Sequence, residues 1–232
     1  MGAGAGTPWP SRPAMLRRVW IVGPLLVAVL VGLVVGYGVH RIAVGSTVAA
    51  PATVSTHFGM HGEAAWAEGA HPAPAIDTLR DQTGQLFSLA SLHGRSVAVV
   101  FLDSHCHQEC PLEGSELAAA ERSLPAAQRP VLVAVSVNPL DTPASAAGAA
   151  RAWGLASVAP WHWLMGTRKQ LAPVWASYHI YVSPHPVGGD IVHTEALYLV
   201  DRRGYMRSGY LYPFVSSYVN SDLRTLSRNR GA

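Results

Sequence analysis

The chain has 232 residues, of which 49% are hydrophobic and 13% are charged, with 17 basic and 14 acidic side chains. A chain of this length has room for one membrane-spanning element and one folded domain, but hardly for two separate hydrophobic cores. Four basic residues and no acidic residue lie within residues 1–41, which leaves 13 basic against 14 acidic residues in the rest of the chain. The basic footprint of a nucleic-acid-binding protein is therefore absent after residue 41.

An apolar stretch near the N-terminus predicts a transmembrane helix. Residues 19–39 run for 21 positions without a charge, and a helix of that length spans about 30 Å, the thickness of the hydrocarbon core of a bilayer. Three arginines precede this stretch, whereas after Arg41 no Lys or Arg occurs until Arg80. This charge bias predicts a single-pass protein of the cell membrane, with residues 1–18 in the cytoplasm and the C-terminal part outside it.

A cleaved signal peptide is the alternative interpretation of the same stretch. Its apolar region would be longer than the usual length of about 7–15 residues. The small residues at 48–50, which resemble a cleavage site, are followed by Pro51, which should obstruct cleavage. The membrane anchor is therefore favoured, and both interpretations place residues 42–232 outside the cytoplasm.

The composition of residues 40–74 predicts a flexible linker. Ala, Gly, Pro, Ser and Thr dominate this segment and no hydrophobic period persists in it. The segment also carries His57, Met60, His61 and His71, whose side chains suit soft metals, so a weak copper-collecting role is an alternative to a solvated linker. The solvated linker is favoured.

From residue 75 onward, short apolar runs alternate with helical patterns. The predicted strands are 96–102, 131–137, 196–201 and 205–212, and the predicted helices are 111–124, 144–155, 167–178 and 215–227. Pro173 is expected to interrupt or kink the third of these helices. The order strand, helix, strand, helix, then hairpin and helix predicts an α/β sandwich with a mixed sheet over residues 75–228, which is the thioredoxin-like plan.

Both cysteines of the chain lie in "DSHCHQECPLEG" (103–114), four positions apart. With Pro111 at the first helical position, Cys110 is predicted to be the N-cap residue and Cys106 to lie in the loop before the helix. The positive end of a helix dipole lowers the pKa of a thiol and favours the thiolate. Because thiolates both attack disulfides and bind metals, this placement leaves both chemistries open.

The spacing of the two cysteines favours a metal site over the other interpretations. A structural disulfide would close a loop with only three residues between the cysteines, where the entropic gain is small. A redox couple in thioredoxin-like proteins usually has two intervening residues, and the third residue here spreads the sulfurs enough to chelate an ion. Two soft thiolates select Cu(I), and an imidazole would complete a three-coordinate site that also accepts Cu(II).

Among the 11 histidines of the chain, His193 differs from the others in its predicted position. The stretch "DIVHTEALYLVDRRG" (190–204) places it in a loop just before a strand that is expected to run close to the cysteine loop. Taken alone, a histidine in such a position is more often a surface residue.

Residues 75–228 resemble the Sco/SenC family of copper-binding thioredoxin-like proteins, which assist assembly of the CuA centre of cytochrome c oxidase. The resemblance rests on the CxxxCP motif that begins at Cys106, on "VSVNPLDTP" (135–143) and on "VHTEALYLVDRRG" (192–204). The three motifs occur in the family's order over about two-thirds of the chain. An N-terminal membrane anchor is also common in this family.

The resemblance implies that Cys106, Cys110 and His193 bind copper as Cu(I) or Cu(II). It implies a membrane-anchored metallochaperone that takes copper from a donor and delivers it to the oxidase subunit carrying CuA. The alternative is an extracytoplasmic thiol-disulfide oxidoreductase that reduces acceptor cysteines with the Cys106–Cys110 pair. A peroxiredoxin-like peroxidase is disfavoured, because Asp103 stands where the Thr or Ser of such an enzyme is expected.

The sequence departs from the family pattern around the cysteines. His107 stands where the family usually has a proline, His105 precedes Cys106, and Asn138 stands where the family often has an aspartate. An extra imidazole could replace His193, add a fourth ligand or increase the thiolate population through its positive charge. The favoured interpretation is that these two histidines are bystanders or tune the thiol pKa.

Overall fold

The computed structural model describes residues 57–158, 160–184 and 190–228, which form six strands and four α-helices. The strands are β1 (Ala64–Ala65), β2 (Val97–Leu102), β3 (Val131–Ser136), β4 (Trp161–Leu164), β5 (Ala196–Val200) and β6 (Met206–Leu211). The helices are α1 (Glu109–Arg122), α2 (Pro143–Ala152), α3 (Arg168–Ser177) and α4 (Ser216–Arg228).

The six strands form one mixed sheet in the order β1-β6-β5-β2-β3-β4. Strands β2, β3 and β4 are parallel, whereas β5 is antiparallel to both β2 and β6, and β1 is antiparallel to β6. The helices α1 and α2 connect β2, β3 and β4 in chain order, and the turn at residues 202–204 joins β5 to β6. This is the mixed thioredoxin-like α/β architecture that the order of sequence patterns predicts.

Hydrophobic packing covers both faces of the sheet. Ala98 and Val100 of β2 face the cluster formed with α1, α2 and α4, while Val99 and Phe101 face α3 and the segment 76–89. Every residue of β2 and β3 is buried. Continuous valine-rich runs are typical of strands that are covered on both sides, which is why these two strands could be recognised in the sequence.

Strand β4 and helix α3 differ from the sequence prediction. Strand β4 was not predicted, because "WHWL" is short and mixes buried and partly exposed aromatic side chains; its pairing with β3 defines it. Pro173 does not interrupt α3, which runs through it. Its ring lies on the exposed side of the helix, and the opposite side is held against the sheet by Leu171 and Trp175.

The predicted flexible linker over 40–74 is wrong for its second half. Met60 is fully buried in the core, and β1 adds to the sheet beside β6. The backbone amide of His61 donates to the fully buried carboxylate of Asp222, and the His61 Nδ1 atom lies 2.6 Å from Asp222 Oδ1. The folded domain therefore begins before the predicted boundary at residue 75, because a buried carboxylate and the edge of β6 both require these partners.

Among the described residues, no helix combines the length and the apolar character needed to cross a membrane. The predicted cytoplasmic residues 1–18, the predicted span at 19–39 and the first part of the predicted linker, residues 40–56, lie outside the described residues.

Candidate metal centre

The topology of the sheet brings two distant segments to one edge. The cysteine loop follows the carboxyl end of β2 and leads into α1. Because β5 runs antiparallel to β2, the residues that precede Ala196 lie at this same edge. His193 and Cys110 therefore meet, although they are 83 positions apart in the sequence.

Helix α1 begins at Glu109, which is earlier than the sequence predicts, so Cys110 lies in the first turn and is not the N-cap residue. Gln108 holds the N-cap position and makes no capping hydrogen bond through its side chain. The backbone amide of Cys110 donates to the Sγ atom of Cys106 at 3.4 Å. The sulfur that accepts from the positive end of the helix is therefore that of Cys106, whereas Cys110 is fully buried.

The two thiols have different acidities. The hydrogen bond from the Cys110 thiol lowers the pKa of Cys106 to about 6, and the backbone amides of Gln108 and Cys110 add to this effect against the opposing effect of burial. The same hydrogen bond, together with burial, raises the pKa of Cys110. Cys106 is therefore the thiolate at neutral pH and Cys110 is the protonated partner that stabilises it.

His193 presents one ring nitrogen to the buried thiol. Its Nε2 atom lies 3.7 Å from Cys110 Sγ. Its Nδ1 atom lies 3.0 Å from the carbonyl oxygen of Thr194, so the Nδ1–H group donates there and the lone pair belongs to Nε2. Burial lowers the pKa of His193, which favours the neutral imidazole that metal binding requires.

Backbone hydrogen bonds fix the position of the histidine segment. Ser183 N donates to the Val192 carbonyl at 2.8 Å, and Thr194 N donates to the Tyr181 carbonyl at 2.9 Å. These bonds flank an isolated β-bridge between Val182 and His193. The imidazole is thus carried by a paired segment of chain.

Glu195 is a site residue that sequence reasoning missed. One carboxylate oxygen of Glu195, the Sγ atom of Cys110 and a ring nitrogen of His193 all lie within 4.8 Å of one another. Burial, followed by the charges of Glu109 and Cys106, raises the pKa of Glu195 to about 7. The spacing of two between His193 and Glu195 was a usable signal, because alternate residues of an extended chain point to the same side.

A second acidic side chain, that of Glu113, lies one helical turn after Cys110 in α1. Glu113 is fully buried, and neither of its carboxylate oxygens has a hydrogen-bond partner among the residues that the structure describes. Burial, followed by the charge of Glu195, raises the pKa of Glu113 well above its usual value.

The donor set limits the chemistry of the site. Two sulfurs and an imidazole nitrogen are ligands for soft and borderline metals such as copper and zinc, whereas magnesium and calcium require mostly oxygen ligands. Thiolate sulfur beside a buried thiol is also the arrangement for disulfide exchange. The geometry therefore fits a copper or zinc site that shares its sulfurs with a redox pair.

Comparison with protein families decides between kinds of thioredoxin-like protein. The sequence profile described as SCO1/SenC matches residues 77–226. The chain belongs to the SCO1/SenC family. No curated protein sequence is similar enough to count as a match.

Solved structures of Sco proteins are similar to this SCO1/SenC domain. Bradyrhizobium japonicum ScoI with copper bound has 26% sequence identity and a TM-score of 0.55, over 67% of this chain and 99% of that one. Yeast Sco1 with copper bound has 19% identity and a TM-score of 0.56, over 69% and 91% of the two chains. BsSco, a member of the Sco family of cytochrome c oxidase assembly proteins with an identified disulfide switch, has 22% identity and a TM-score of 0.57, over 68% and 94%. The last two likenesses concern the fold alone.

The two histidines that depart from the SCO1/SenC pattern lie outside the cluster of Cys110, His193 and Glu195. The Cys106 sulfur is not part of that cluster either, and it contacts Cys110 through the hydrogen bond that it accepts from the Cys110 backbone amide. His105 is about half exposed, and its Nδ1 atom lies 3.1 Å from Asp141 Oδ1. The side chain of His107 is 86% exposed, and its Nδ1 atom lies 3.5 Å from an Asp190 oxygen. Their nearest charged partners are therefore carboxylates.

The "VSVNPLDTP" motif of the SCO1/SenC domain holds the start of the cysteine loop. The Asp141 carboxylate accepts hydrogen bonds from the hydroxyls of Ser104 and Ser136, both at 2.6 Å. The Asn138 side-chain amide donates to Asp103 Oδ1 at 3.0 Å. Asparagine suits this position because an aspartate there would bring two carboxylates together without a donor between them.

Proposed function

We propose that this chain is a membrane-anchored copper chaperone that binds copper through Cys106, Cys110 and His193 and delivers it to the CuA site of cytochrome c oxidase. The observation that carries the proposal is the approach of His193 Nε2 to within 3.7 Å of Cys110 Sγ, beside the Cys106 sulfur at the start of α1. Membership of the SCO1/SenC family and the likeness to a ScoI with copper bound support it.

The unequal burial of the ligands fits a protein that releases its metal. Cys106 is partly exposed, whereas Cys110 is buried. An acceptor thiolate or imidazole can displace Cys106 first, while Cys110 and His193 keep the ion bound. Transfer by such stepwise ligand exchange avoids a free ion and needs no change in the charge of the copper.

The acceptor in this proposal is the oxidase subunit that carries CuA, and the copper comes from a separate donor. The description of BsSco as a member of a family of cytochrome c oxidase assembly proteins supports this choice. The predicted helix at 19–39 would hold the domain on the outer side of the cell membrane, where the acceptor site is expected.

Copper titration followed by transfer tests the proposal. The full-length chain in detergent, fully reduced, should bind about one Cu(I) and lose it only to stronger chelators. Mixing two equivalents of the loaded chain with a reduced, copper-free CuA subunit should move two Cu(I) ions to the subunit, and one-electron oxidation with ferricyanide should then develop the visible absorption of the two-copper CuA centre. A subunit that stays colourless after the same oxidation, while free copper salts reconstitute it, would contradict delivery.

The membrane anchor has its own test. The full-length chain should sediment with membranes and resist extraction by salt, and external protease should remove its C-terminal domain from intact spheroplasts. A full-length chain that stays in the soluble fraction after gentle lysis would exclude the anchor.

A thiol-disulfide oxidoreductase remains a second candidate because the two thiols differ in acidity, with the pKa of Cys106 at about 6 and that of Cys110 raised. The Cys106 thiolate would attack an acceptor disulfide and release one acceptor thiolate. Cys110, after losing its proton, would attack the Cys106 sulfur and release the second. A separate thiol reductant must then reduce the resulting Cys106–Cys110 disulfide. Replacement of His193 separates the candidates, since this reaction does not require the imidazole.

A further inference from the structure

We propose that the Glu195 carboxylate is an additional ligand of the metal held by Cys110 and His193, and that it selectively strengthens the binding of divalent ions. This proposal rests on the proposed function. The proposal concerns a residue outside the set of two cysteines and one histidine. With this residue as a ligand, the site would bind Cu(II) through one more ligand than Cu(I).

The first argument is geometric. In a tetrahedral site with metal–ligand distances of about 2.0–2.3 Å, the ligand atoms lie roughly 3.3–3.8 Å from one another. Cys110 Sγ and His193 Nε2 already have this separation, at 3.7 Å. A Glu195 oxygen lies within 4.8 Å of Cys110 Sγ and of a ring nitrogen of His193. A carboxylate at the end of a flexible side chain needs only a small rotation to close the remaining gap.

The second argument is the direction of the side chains before β5. His193 and Glu195 flank Thr194, whose Oγ1 atom accepts a hydrogen bond from Tyr181 N at 3.1 Å. Thr194 is thus engaged with the neighbouring segment, while the residues on either side of it reach Cys110. This alternation is that of an extended chain entering a strand, and the backbone holds both ligands on one side.

The third argument is the absence of a cationic side chain for the buried carboxyl oxygens next to the site. Glu113, one helical turn after Cys110, is fully buried with no hydrogen-bond partner for its carboxyl oxygens in the described part of the chain. None of the ion pairs among the described residues joins Glu113 or Glu195 to a Lys or Arg. A metal ion bound by Glu195 would bring a positive charge to this part of the interior.

The fourth argument is the preference of each ligand type. Thiolates are soft ligands that suit Cu(I), whereas carboxylate oxygen is a harder ligand that contributes to the binding of divalent ions. Glu195 therefore adds to the affinity for Cu(II), Co(II) or Zn(II) and adds little for Cu(I). The site with Glu195 tolerates oxidation of the copper without losing it, because the oxidised ion gains a ligand.

Replacement of Glu195 by glutamine tests the proposal, because glutamine keeps the size of the side chain and removes the charged oxygen. The full-length chain in detergent is compared with Glu195→Gln and with the control Glu109→Gln, which removes a nearby exposed charge but no proposed ligand. Co(II) is the first probe, since it does not oxidise thiols and its visible bands report the ligand set. Substoichiometric Cu(II) with electron paramagnetic resonance is the second probe, and Cu(I) in competition with a chromophoric chelator is the third.

Glu195→Gln should shift the Co(II) bands, change the Cu(II) hyperfine coupling and weaken Co(II) binding by about tenfold or more. Its Cu(I) affinity should stay within about twofold of that of the parent. Glu109→Gln should keep the parent spectra. Parent-like spectra and affinities for Glu195→Gln, in a chain that binds Cu(I) tightly, would overturn the ligand role of Glu195 and leave the chaperone function intact.

The experiment also separates the ligand role of Glu195 from the chaperone function. A parent chain that binds Co(II) with bands that depend on Glu195, but does not bind Cu(I), would support the ligand role and contradict the chaperone function. Equal weakening by Glu195→Gln and Glu109→Gln, with unchanged spectra, would show a general effect of charge and would overturn the proposal. A parent chain that binds neither ion would overturn both.

Discussion

The Nε2 atom of His193 lies 3.7 Å from the Sγ atom of Cys110, a separation typical of two ligands on one metal ion. The two side chains are positioned by different parts of the fold. Cys110 lies in the first turn of α1, and His193 lies on a segment that is bonded to Tyr181 and Ser183. A metal ion bound here would meet two ligands that the fold has already brought together, which would reduce the entropic cost of binding.

Replacement of His193 by alanine should weaken Cu(I) binding by at least about a hundredfold, because it removes a ligand and not only a supporting contact. The matched control is His107→Ala, since the side chain of His107 is 86% exposed and should change the affinity by less than about threefold. Competition with a chromophoric Cu(I) chelator measures both. If His107→Ala proved the more damaging change, the copper would be bound within the cysteine loop.

Serine at either cysteine should abolish tight Cu(I) binding, because a hydroxyl is a poor ligand for a soft metal. The two variants should differ in stability. Cys110 is fully buried and Cys106 is partly exposed, so Cys110→Ser should lower the free energy of unfolding by about 1–3 kcal/mol and Cys106→Ser by less.

Copper stoichiometry and urea denaturation of the two serine variants provide the measurements. Both variants should keep a cooperative unfolding transition. Tight copper binding by either one would mean that the imidazoles and not the sulfurs hold the metal.

The alkylation rate of Cys106 should rise with pH around a midpoint near 6, the value to which its pKa is lowered. Only the thiolate reacts, so the rate falls as the pH drops below this midpoint and levels off above it. Cys110→Ala should move the midpoint upward, because the hydrogen bond from the Cys110 thiol is the largest cause of the low pKa. Iodoacetamide labelling followed by mass spectrometry measures the rate.

A midpoint near the ordinary cysteine value of about 8.5 in the unmutated chain would contradict this account. Cys110 itself should remain unlabelled across the range, since it is buried and its pKa is raised.

Asp222→Asn should lower the free energy of unfolding by about 3 kcal/mol, the usual effect of breaking a buried charged network. The Asp222 carboxylate accepts hydrogen bonds from the Ser208 hydroxyl at 2.7 Å and from the backbone of His61 at 3.0 Å. Asp77→Asn is the control because Asp77 is exposed, and its effect should stay within about 0.5 kcal/mol. Urea denaturation of both variants tests the prediction.

Deletion of residues 57–66 should also lower the free energy of unfolding measured by urea denaturation, because it removes Met60 from the core and β1 from the sheet. A deletion variant as stable as the parent would mean that the linker extends to residue 74, as the composition alone predicts.

The sequence by itself determined the elements that carry a strong local signal. The valine-rich runs at 96–102 and 131–137 predicted β2 and β3, because a strand covered on both faces needs an unbroken apolar run. The order of strands and helices then predicted the thioredoxin-like plan. Strands β1 and β4 were missed because two and four residues, respectively, carry too little pattern, and only their neighbours in the sheet define them.

The sequence likewise predicted only part of the candidate site. The CxxxCP spacing drew attention to Cys106 and Cys110, but His193 was chosen with the help of a family resemblance, since no local period distinguishes it from ten other histidines. The N-cap position of Cys110 was predicted incorrectly, because α1 begins at Glu109 and Cys110 lies in its first turn.

Only the tertiary structure decided that a Glu195 oxygen approaches Cys110 and His193 and that His105 and His107 lie outside this cluster. The sequence places both of these histidines next to Cys106 and Glu195 far from it. The antiparallel pairing of β5 with β2 reverses this order, because it sets the residues before Ala196 against the first turn of α1. Proximity in a folded chain follows the register of the sheet, and that register depends on packing across the whole domain.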